Sequence, residues 1–369
     1  MSGDPQGSGS TIEELDGAFC QVPVEGFAGI IAHIPTGFDP EGAVVDRRRR
    51  LAYVTASRGN AVTVIDLERK TRVCDIPVGQ EPTDIIYDER SDRIFTCDSR
   101  SDLISVIDAE AKQRIAQLPV PPYPSGMSAD FGRRRLYCGC SAGSVIVMID
   151  FDTLAQVGTL PAELGSGATV IDTVRQRAYS SNFMSASVSV IDIERQVELA
   201  KVPVGGAPCA MAISQRCKEA YVAISMEDCV KRIDLDTGEL LGAIHVGRGP
   251  VGASISPDER RLYVGNRGDG TVSVVDADAS LELGRIDVGE APAGCVVDEE
   301  EGTLLVSNAG SNTLTVLHPD AAPFAAAVAH PLVGQRLPPF MLPDLRTGRL
   351  RGSFEWAQKL YIINFFASW

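Results

Sequence analysis

The chain has 369 residues, of which 44% are hydrophobic and 22% are charged, and this composition is ordinary for a soluble globular protein. Its net charge of −15 argues against nucleic acids and anionic membrane surfaces as partners, because both bind proteins mainly through Lys and Arg. The sequence contains no stretch of about 18 apolar residues, so it predicts no insertion into a membrane.

Residues 1–28 form a polar N-terminal segment whose beginning is rich in Gly and Ser, and we expect no packed element there. A basic stretch followed by an apolar core, which marks an export signal, is not found in this segment. The sequence as given therefore predicts a cytoplasmic protein. A periplasmic or otherwise exported protein is expected only if the natural start lies upstream of Met1.

From residue 37 to residue 330 the sequence repeats seven times with a period of 42 residues. Each copy holds four short runs in which apolar, often β-branched residues alternate with polar ones, and tight turns separate the runs. Four predicted strands in each of seven repeats indicate an all-β, seven-bladed β-propeller. The physical reason is that blades stacked in a closed ring bury the faces that a single blade leaves exposed.

At two positions of the repeat, which we call columns, the same kind of residue recurs in six of the seven copies. An Asp closes the third strand at Asp66, Asp108, Asp150, Asp192, Asp234 and Asp276. An aromatic residue lies in the second strand at Tyr53, Phe95, Tyr137, Tyr179, Tyr221 and Tyr263. A residue that recurs in nearly every blade serves the fold, since a catalytic site needs an asymmetric arrangement. We expect the Asp column to cap turns by accepting backbone N–H groups and the aromatic column to lie in the core.

The second and third strands of the repeat, such as Tyr53-Val-Thr55 and Val62-Thr-Val-Ile-Asp66, resemble the YVTN family of bacterial and archaeal β-propellers. The Asn that ends the signature of that family is matched by Asn182, Asn266 and Asn308, whereas Ala56, Asp98, Cys140 and Ile224 stand at this position in other copies. The resemblance implies the propeller fold. It does not select a function, because propellers serve as enzymes, binding modules and scaffolds alike.

Residues 29–36 align with the fourth strand of the first copy, one period early. The corresponding segment at the other end, residues 323–330, is rich in Ala and bracketed by Pro, and it makes a poor strand. We therefore predict that residues 29–36 supply the outer strand of the seventh blade. On this account the propeller spans residues 29–330, with blades from residue 37, and residues 319–333 serve as a linker.

The loops that follow the second and fourth strands of each blade emerge on one face, around the mouth of the central channel, where propellers commonly bind ligands. The polar residues best placed there are Asp39, Arg58, Glu81, Arg100, Tyr123, Arg248 and Arg267. They are the candidate ligand-binding residues. The alternative is that they are solvated turn residues.

The repeats contain no Gly-x-Ser-x-Gly elbow, no phosphate-binding Gly loop and no His-Glu-x-x-His motif. The four His are scattered and no Cys-x-x-Cys occurs, so the sequence predicts no metal and no cofactor. The nine Cys fit a reducing compartment, in which they act as small buried hydrophobes. No catalytic residue is predicted within the 369 residues.

After Pro331 the period stops, and the tail carries two motifs, Pro339-Phe-Met-Leu-Pro-Asp-Leu345 and Asn364-Phe-Phe-Ala-Ser-Trp369. They resemble the opening of a redoxin domain, the thioredoxin-like family that includes disulfide reductases of the TlpA and ResA kind. The motif residues are Phe340, Pro343, Asp344, Asn364, Phe365, Ala367, Ser368 and Trp369. In that family Cys-x-x-Cys follows directly. The resemblance implies that residues 334–369 are an incomplete thioredoxin-like α/β domain; the alternative is an apolar terminal strand that docks on the propeller.

The sequence favours a propeller binding or scaffold module fused to a thiol oxidoreductase, either a disulfide reductase or a peroxidase. The catalytic cysteines of that enzyme would lie beyond Trp369, so residues 1–369 alone are expected to lack dithiol activity. One alternative is a non-enzymatic interaction protein. The other is a lactonase-like enzyme at the mouth, which the scarcity of His near those loops disfavours. The expected partner is an unidentified protein or small molecule at the propeller face.

Overall fold

The computed structural model of the chain describes residues 29–319 and, in the tail, the backbone of Met341–Pro343 and Leu350–Gly352. The part of the chain so described contains no α-helix, and its main body consists of seven four-stranded antiparallel sheets. This confirms the prediction of an all-β, seven-bladed propeller.

The strands lie in the following order along the chain. The outer strand β1 (Ile30–Pro35) precedes blade 1, which holds β2 (Pro40–Asp46), β3 (Leu51–Ala56), β4 (Ala61–Asp66) and β5 (Thr71–Pro77). Blade 2 holds β6 (Pro82–Asp88), β7 (Arg93–Asp98), β8 (Leu103–Asp108) and β9 (Gln113–Pro119), and blade 3 holds β10 (Pro124–Asp130), β11 (Arg135–Cys140), β12 (Val145–Asp150) and β13 (Gln156–Pro161). Blade 4 holds β14 (Ser166–Asp172), β15 (Arg177–Asn182), β16 (Ser187–Asp192) and β17 (Val197–Pro203), and blade 5 holds β18 (Pro208–Ser214), β19 (Glu219–Ile224), β20 (Cys229–Asp234) and β21 (Leu240–His245). Blade 6 holds β22 (Pro250–Ile255), β23 (Arg261–Asn266), β24 (Thr271–Asp276) and β25 (Leu281–Asp287), and blade 7 holds β26 (Pro292–Asp298), β27 (Thr303–Asn308) and β28 (Thr313–Leu317).

The burial of the strands follows their order within each blade. All six residues of β3 are buried, because the second strand is covered by neighbouring blades on both faces, whereas most of the outer strand β5 is exposed. The aromatic column lies in the core as predicted: Tyr53 is fully buried, and its hydroxyl donates a hydrogen bond of 2.8 Å to the carbonyl of Ala109 in the next blade. The aromatic column therefore contributes to the contacts between blades.

The Asp that ends the third strand in blades 1 to 6 caps a turn, which confirms the prediction made for that column. Asp66 Oδ1 accepts the backbone N–H of Arg69 at 2.7 Å, and Asp234 Oδ1 accepts that of Thr237 at 2.7 Å. A second set of acids, which the sequence analysis did not single out, ends the first strands and is buried: Asp46, Asp88, Asp130, Asp172 and Asp298. Several of these acids pair with arginines of the adjoining turns, in the pairs Arg49–Asp46 (2.6 Å), Arg134–Asp88 (2.6 Å) and Arg50–Asp298 (2.7 Å).

The Asn at the end of the second strand, present as Asn182, Asn266 and Asn308, holds the second and third strands of its blade together. The amide of Asn266 donates to the hydroxyls of Thr271 at 2.9 Å and Ser273 at 2.8 Å, inside the core. A Cβ added at Gly247 would lie 2.4 Å from Asn266 Cγ, so the incoming loop needs Gly at that point. In blade 2 the same position holds Asp98, whose carboxylate accepts hydrogen bonds instead. The signature residue is structural.

The ring closes through the N-terminal strand. β1 pairs antiparallel with β28, with Ile34 opposite Leu314, and it forms the outer strand of the seventh sheet. The N–H of Thr36 donates to the carbonyl of Asn312 at 2.9 Å just beyond the pairing. The inner strand β2 contacts both of its neighbours, β6 and β26, so the row of inner strands is continuous.

The tail contributes one described hairpin. β29 (Met341–Pro343) pairs antiparallel with β30 (Leu350–Gly352), and both belong to a second unit, Pro323–Trp369. The remaining residues of the two redoxin-like motifs, and the predicted thioredoxin-like fold of residues 334–369, lie outside the described part of the chain. So do residues 1–28 and most of the predicted linker.

Candidate functional site

The loops that precede the inner strands and the turns between second and third strands lie on one face, as the repeat predicts. They hydrogen-bond to each other within each blade: the N–H of Ser57 donates to the carbonyl of Asp39 at 2.9 Å, and Ser99 and Glu81 repeat this contact at 3.0 Å. We call this face the mouth and the opposite face the base. All seven candidate residues lie in mouth loops.

The backbone of the mouth is held in an unusual conformation at the same position of every blade. The residue that precedes each inner strand has a positive φ, at Asp39, Glu81, Tyr123, Gly165, Ala207, Gly249 and Ala291. In blade 1 a side chain of the preceding blade fixes this residue, because Asn312 Oδ1 accepts the N–H of Asp39 at 2.8 Å. Asn60 and Asp102 make the equivalent contacts to the next two blades, at 3.0 and 2.9 Å. The mouth loops therefore present their side chains from a fixed backbone.

Ion pairs join three of the candidate residues, which come from blades 1 and 6. Arg58 of blade 1 lies 3.2 Å from Asp39, and Arg267 of blade 6 lies 3.8 Å from the other oxygen of the same carboxylate. Arg267 also donates to Glu41 at 3.3 Å. Blade 7, which lies between blades 6 and 1, carries the small residues Ala291, Ala309 and Gly310 in its mouth loops. Asp39, Arg58 and Arg267 thus form one charged cluster.

A cavity of about 290 Å³ lies beside this cluster. It is lined by Phe38, Asp39, Arg58, Arg267, Ala291, Ala309, Gly310 and Asn312. The small residues of blade 7 open the space, and the ring of Phe38, which is 68% exposed, forms an apolar wall. Its size is near the lower end of the range for small-molecule sites, about 300–1,000 Å³. A cavity with one aromatic wall and two guanidinium groups suits a small ligand that carries both an apolar body and an anionic group.

Glu41 belongs to this cluster although the sequence analysis did not select it. Burial raises the pKa of its carboxyl, and the nearby guanidinium of Arg267 partly opposes that rise. The signal was present in the repeat, because the corresponding residues of the other blades are uncharged: Thr83, Ser125, Gly167, Cys209, Val251 and Ala293. A single charged residue in an otherwise neutral column of the inner strands marks an asymmetric site.

The other candidates lie apart from the cavity. Glu81 and Arg100 form an ion pair on blade 2 that repeats the Asp39–Arg58 pair one blade along. Tyr123 lies on blade 3 and is 41% exposed. Arg248 lies on blade 6, where its guanidinium donates to the carbonyl of Gly268 at 3.2 Å. The structure therefore gathers three of the seven candidates into one site and spreads four around the mouth.

The described residues provide no group of three or more His, Cys, Asp or Glu that could hold a metal ion. The described histidines, His33, His245 and His318, do not line the cavity. All eight described cysteines are free, and Cys97 and Cys138 lie with their sulfurs 3.4 Å apart in the core, where burial raises the pKa of the Cys97 thiol to about 11. Across residues 29–319, no helix is long and apolar enough to cross a membrane.

Comparison with known proteins supports the fold and no more. No model of a protein family matches the chain, and no curated protein matches it. Among solved structures, it is similar to hydrazine synthase of Kuenenia stuttgartiensis, with a TM-score of 0.70 and 18% identity over 79% of this chain and 99% of that chain. Because 1701 solved chains match, the fold is widely shared and does not indicate a particular activity.

The Arg267–Glu41 contact gives a prediction about stability and pH. In Arg267→Gln the pKa of Glu41 rises further, because the guanidinium that lowers it is removed. A carboxyl whose pKa is raised on folding contributes stability at low pH that is lost as the pH rises. We therefore expect the free energy of unfolding of the variant, relative to the unsubstituted chain, to fall between about pH 4 and pH 7. The loss should reach about 1–3 kcal/mol in urea unfolding.

The control is the double variant Glu41→Gln, Arg267→Gln, in which position 41 carries no carboxylate and Asp39 keeps its ion pair with Arg58, and it should recover most of the loss at pH 7. A loss of the same size at pH 4 and pH 7, or no recovery in the double variant, contradicts this account of the cluster.

Proposed function

We propose that the chain is the binding or scaffold module of a thiol oxidoreductase. The ring holds a ligand or a partner protein at its mouth, and a thioredoxin-like domain that begins in the tail performs dithiol chemistry. In that chemistry a cysteine thiolate attacks a substrate disulfide and releases one substrate thiolate. A second cysteine then resolves the mixed disulfide, which releases the other substrate thiolate and leaves an enzyme disulfide. Peroxide reduction is the other chemistry of this class.

The observation that carries the binding half is the cavity between blades 6, 7 and 1. Blade 7 has Ala291 and Gly310 at the loop positions where blade 1 has Asp39 and Arg58. These small residues leave a space beside the charged side chains of blades 1 and 6, and its walls carry guanidinium groups. The side chain of Arg58 is 82% exposed and holds Asp39 by a single contact, so it is available to a second anion.

The support for the oxidoreductase half comes from the sequence of the tail. The motifs 339–345 and 364–369 stand in the order in which a redoxin domain begins, and in that family the first cysteine comes directly after the second motif. The first cysteine of such a site lies at a helix N-terminus, where backbone N–H groups stabilise the thiolate. No cysteine of the described propeller is assigned this role.

Charge supports the proposal that the partner is neither a nucleic acid nor a membrane. The most basic stretch of the ring, residues 47–50, is neutralised by acids in the pairs Arg47–Glu299, Arg48–Asp92, Arg49–Asp46 and Arg50–Asp298. Guanidinium groups held in this way are not free to bind phosphates. The free cysteines of the ring fit a reducing compartment, which supports the cytoplasmic localisation expected for the sequence as given.

The cavity predicts binding of a small aromatic carboxylate. We expect 3-phenylpropionate to bind the chain, with its ring against Phe38 and its carboxylate on Arg58. In isothermal titration, Arg58→Gln should weaken this binding about tenfold or more, as expected for the loss of a charged hydrogen bond.

The matched control is Arg100→Gln, which removes the equivalent arginine of blade 2, where no cavity-lining residue lies. It should leave the affinity unchanged. Equal effects of the two substitutions, or no binding at all, would show that the cavity is not a site of this kind.

The oxidoreductase half predicts the sequence after Trp369. Reading the coding sequence should show Cys-x-x-Cys next, within a domain of roughly 100 residues. The complete product should then reduce insulin disulfides or a peroxide, and replacing the first of these cysteines by Ser should abolish the activity. If the coding sequence continues without these cysteines, the oxidoreductase part of the proposal is wrong, and a non-enzymatic interaction protein is the remaining interpretation.

A further inference from the structure

The interface between blades 2 and 3 brings two thiols together inside the core. Cys97 lies in the second strand of blade 2 and Cys138 in the second strand of blade 3, and their sulfurs are 3.4 Å apart. Both side chains are fully buried, and neither lines the cavity at the mouth. They form a nucleophilic pair that the proposed function does not use.

The pair departs from the repeat in both of its columns. The other members of the Cys97 column are Thr55, Gly139, Ser181, Ala223, Gly265 and Ser307. The other members of the Cys138 column are Val54, Thr96, Ser180, Val222, Val264 and Val306. The two columns hold no further cysteine, so they bring thiols together at this interface alone.

A third buried cysteine, Cys140, lies two residues beyond Cys138 on the same strand. Residues i and i+2 of a strand are about 6.6 Å apart, which is close to the upper limit of the Cα separation that a disulfide spans. Cys97, on the neighbouring sheet, is therefore the better partner for Cys138.

The backbone around the pair is tied across the same interface. Asp84 of β6 lies opposite Cys97 in the sheet of blade 2, and Met127 of β10 lies opposite Cys138 in the sheet of blade 3. The carboxylate of Asp84 accepts the N–H of Met127 at 2.6 Å. The inner strands of the two blades are thus joined beside the two sulfurs, so the thiols stay neighbours in the folded ring.

The surroundings of the thiols decide how they react. Phe95, Met127 and Leu136 belong to the same buried apolar cluster. Burial raises the pKa of the Cys97 thiol to about 11, and the hydrogen bond with Cys138 partly opposes that rise. Cys97 is therefore the nucleophile whose thiolate its neighbour stabilises, and it reacts more slowly than an exposed thiol does.

We propose that Cys97 and Cys138 are a site of reversible oxidation, at which a hydroperoxide converts the two thiols into a disulfide that links blades 2 and 3. A disulfide has an S–S bond of about 2.05 Å, so the two sulfurs approach each other by about 1.4 Å. The site lies in the core of the ring, and the proposal does not depend on a ligand at the mouth or on the oxidoreductase domain.

The reaction with hydrogen peroxide has two steps. The Cys97 thiolate attacks one peroxide oxygen and the O–O bond breaks, which leaves a sulfenic acid on Cys97 and releases hydroxide. This hydroxide takes up the proton that the Cys97 thiol lost and becomes water. The sulfur of Cys138 then gives up its proton and attacks the sulfenic sulfur, so that the S–S bond forms, the S–O bond breaks and a second water leaves. The two sulfurs supply the two electrons that reduce one peroxide to two waters.

The disulfide changes the stability of the ring. It closes a loop between two blades and removes conformations from the unfolded chain, so oxidation stabilises the folded state. The oxidised ring therefore resists separation of blades 2 and 3, and a small dithiol reverses the change by reducing the bond.

The test treats the folded 369-residue chain with hydrogen peroxide, blocks the remaining thiols with N-ethylmaleimide in denaturant and digests the product with trypsin. Mass spectrometry should show residues 94–100, which carry Cys97, joined to residues 136–175, which carry Cys138 and Cys140. The joined peptide should have lost two hydrogens, and dithiothreitol should separate it into its two halves.

The repeat itself supplies substitutions that suit each position. Cys97→Ala and Cys138→Val introduce the residues that blade 5 has there, and each should abolish the joined peptide. The matched control is Cys140→Ala, which introduces the residue of blade 1 at an equally buried position of the same strand. It should leave the rate of crosslinking within about twofold of that of the unsubstituted chain. Near-UV circular dichroism shows whether each variant keeps the fold.

Urea unfolding tests the effect of the bond on the ring. The midpoint of the oxidised chain should lie above that of the reduced chain and return after dithiothreitol, whereas Cys97→Ala treated in the same way should show no such rise. The variant also controls for oxidation of methionines, which dithiothreitol does not reverse.

Four results overturn the proposal. The first is a sulfinic acid on Cys97 without a joined peptide, and the second is a joined peptide that forms only in urea. The third is a crosslink that Cys140→Ala removes and Cys138→Val keeps. The fourth is an oxidised chain, joined through Cys97 and Cys138, whose unfolding midpoint does not rise.

Discussion

The pairing of β1 with β28 is the interaction on which the rest of the structure depends. Six blades are completed by a fourth strand that follows along the chain, but the seventh is completed by residues that precede the first. Ile34 of β1 is 1% exposed and packs in a cluster with Leu314 of blade 7 and Val54 of blade 1. The strand therefore both completes the seventh sheet and seals its contact with the first. The cluster of Arg267 and Glu41, which spans blades 6 to 1, needs this contact to be closed.

The asymmetry of this ring comes from departures from its repeat. The backbone of the mouth is nearly the same in seven blades, down to a positive φ before each inner strand. The side chains of the mouth loops then differ around the ring: Asp39, Arg58 and Arg267 form a charged cluster beside a cavity, whereas blades 3 to 5 expose apolar side chains. The cavity exists because blade 7 has small residues where blade 1 has Asp39 and Arg58. One rigid frame thus offers two surfaces of different chemistry.

The repeat made the fold predictable, because a period of 42 residues and a capping Asp leave little choice of architecture. The sequence predicted which loops lie at the mouth, because the face on which a loop emerges follows from the strands that it joins. It did not predict the charged cluster, because Arg267 contacts Glu41 only when the closed ring brings blades 6 and 1 together. Asp84 was equally hidden: it stands where the other blades have Gly or Ala and accepts the N–H of Met127 at 2.6 Å, and burial raises the pKa of its carboxyl to about 6. Such contacts between blades leave no local pattern in the sequence.

Hydrogen exchange on two matched variants tests the closed ring most directly. Ile34 and Ile76 occupy the same position of blades 7 and 1, and both are buried, but a short turn joins β5 to β4 whereas no turn joins β1 to β28. Each Ile→Ala substitution should cost about 2–5 kcal/mol locally. If β1 closes the ring, Ile34→Ala should speed exchange in β1 and β28 far more than Ile76→Ala does in β5, because a strand without a turn separates more freely. If the two substitutions speed hydrogen exchange equally, or if Ile34→Ala leaves the exchange rate of β1 unchanged, the result contradicts closure of the ring by this strand.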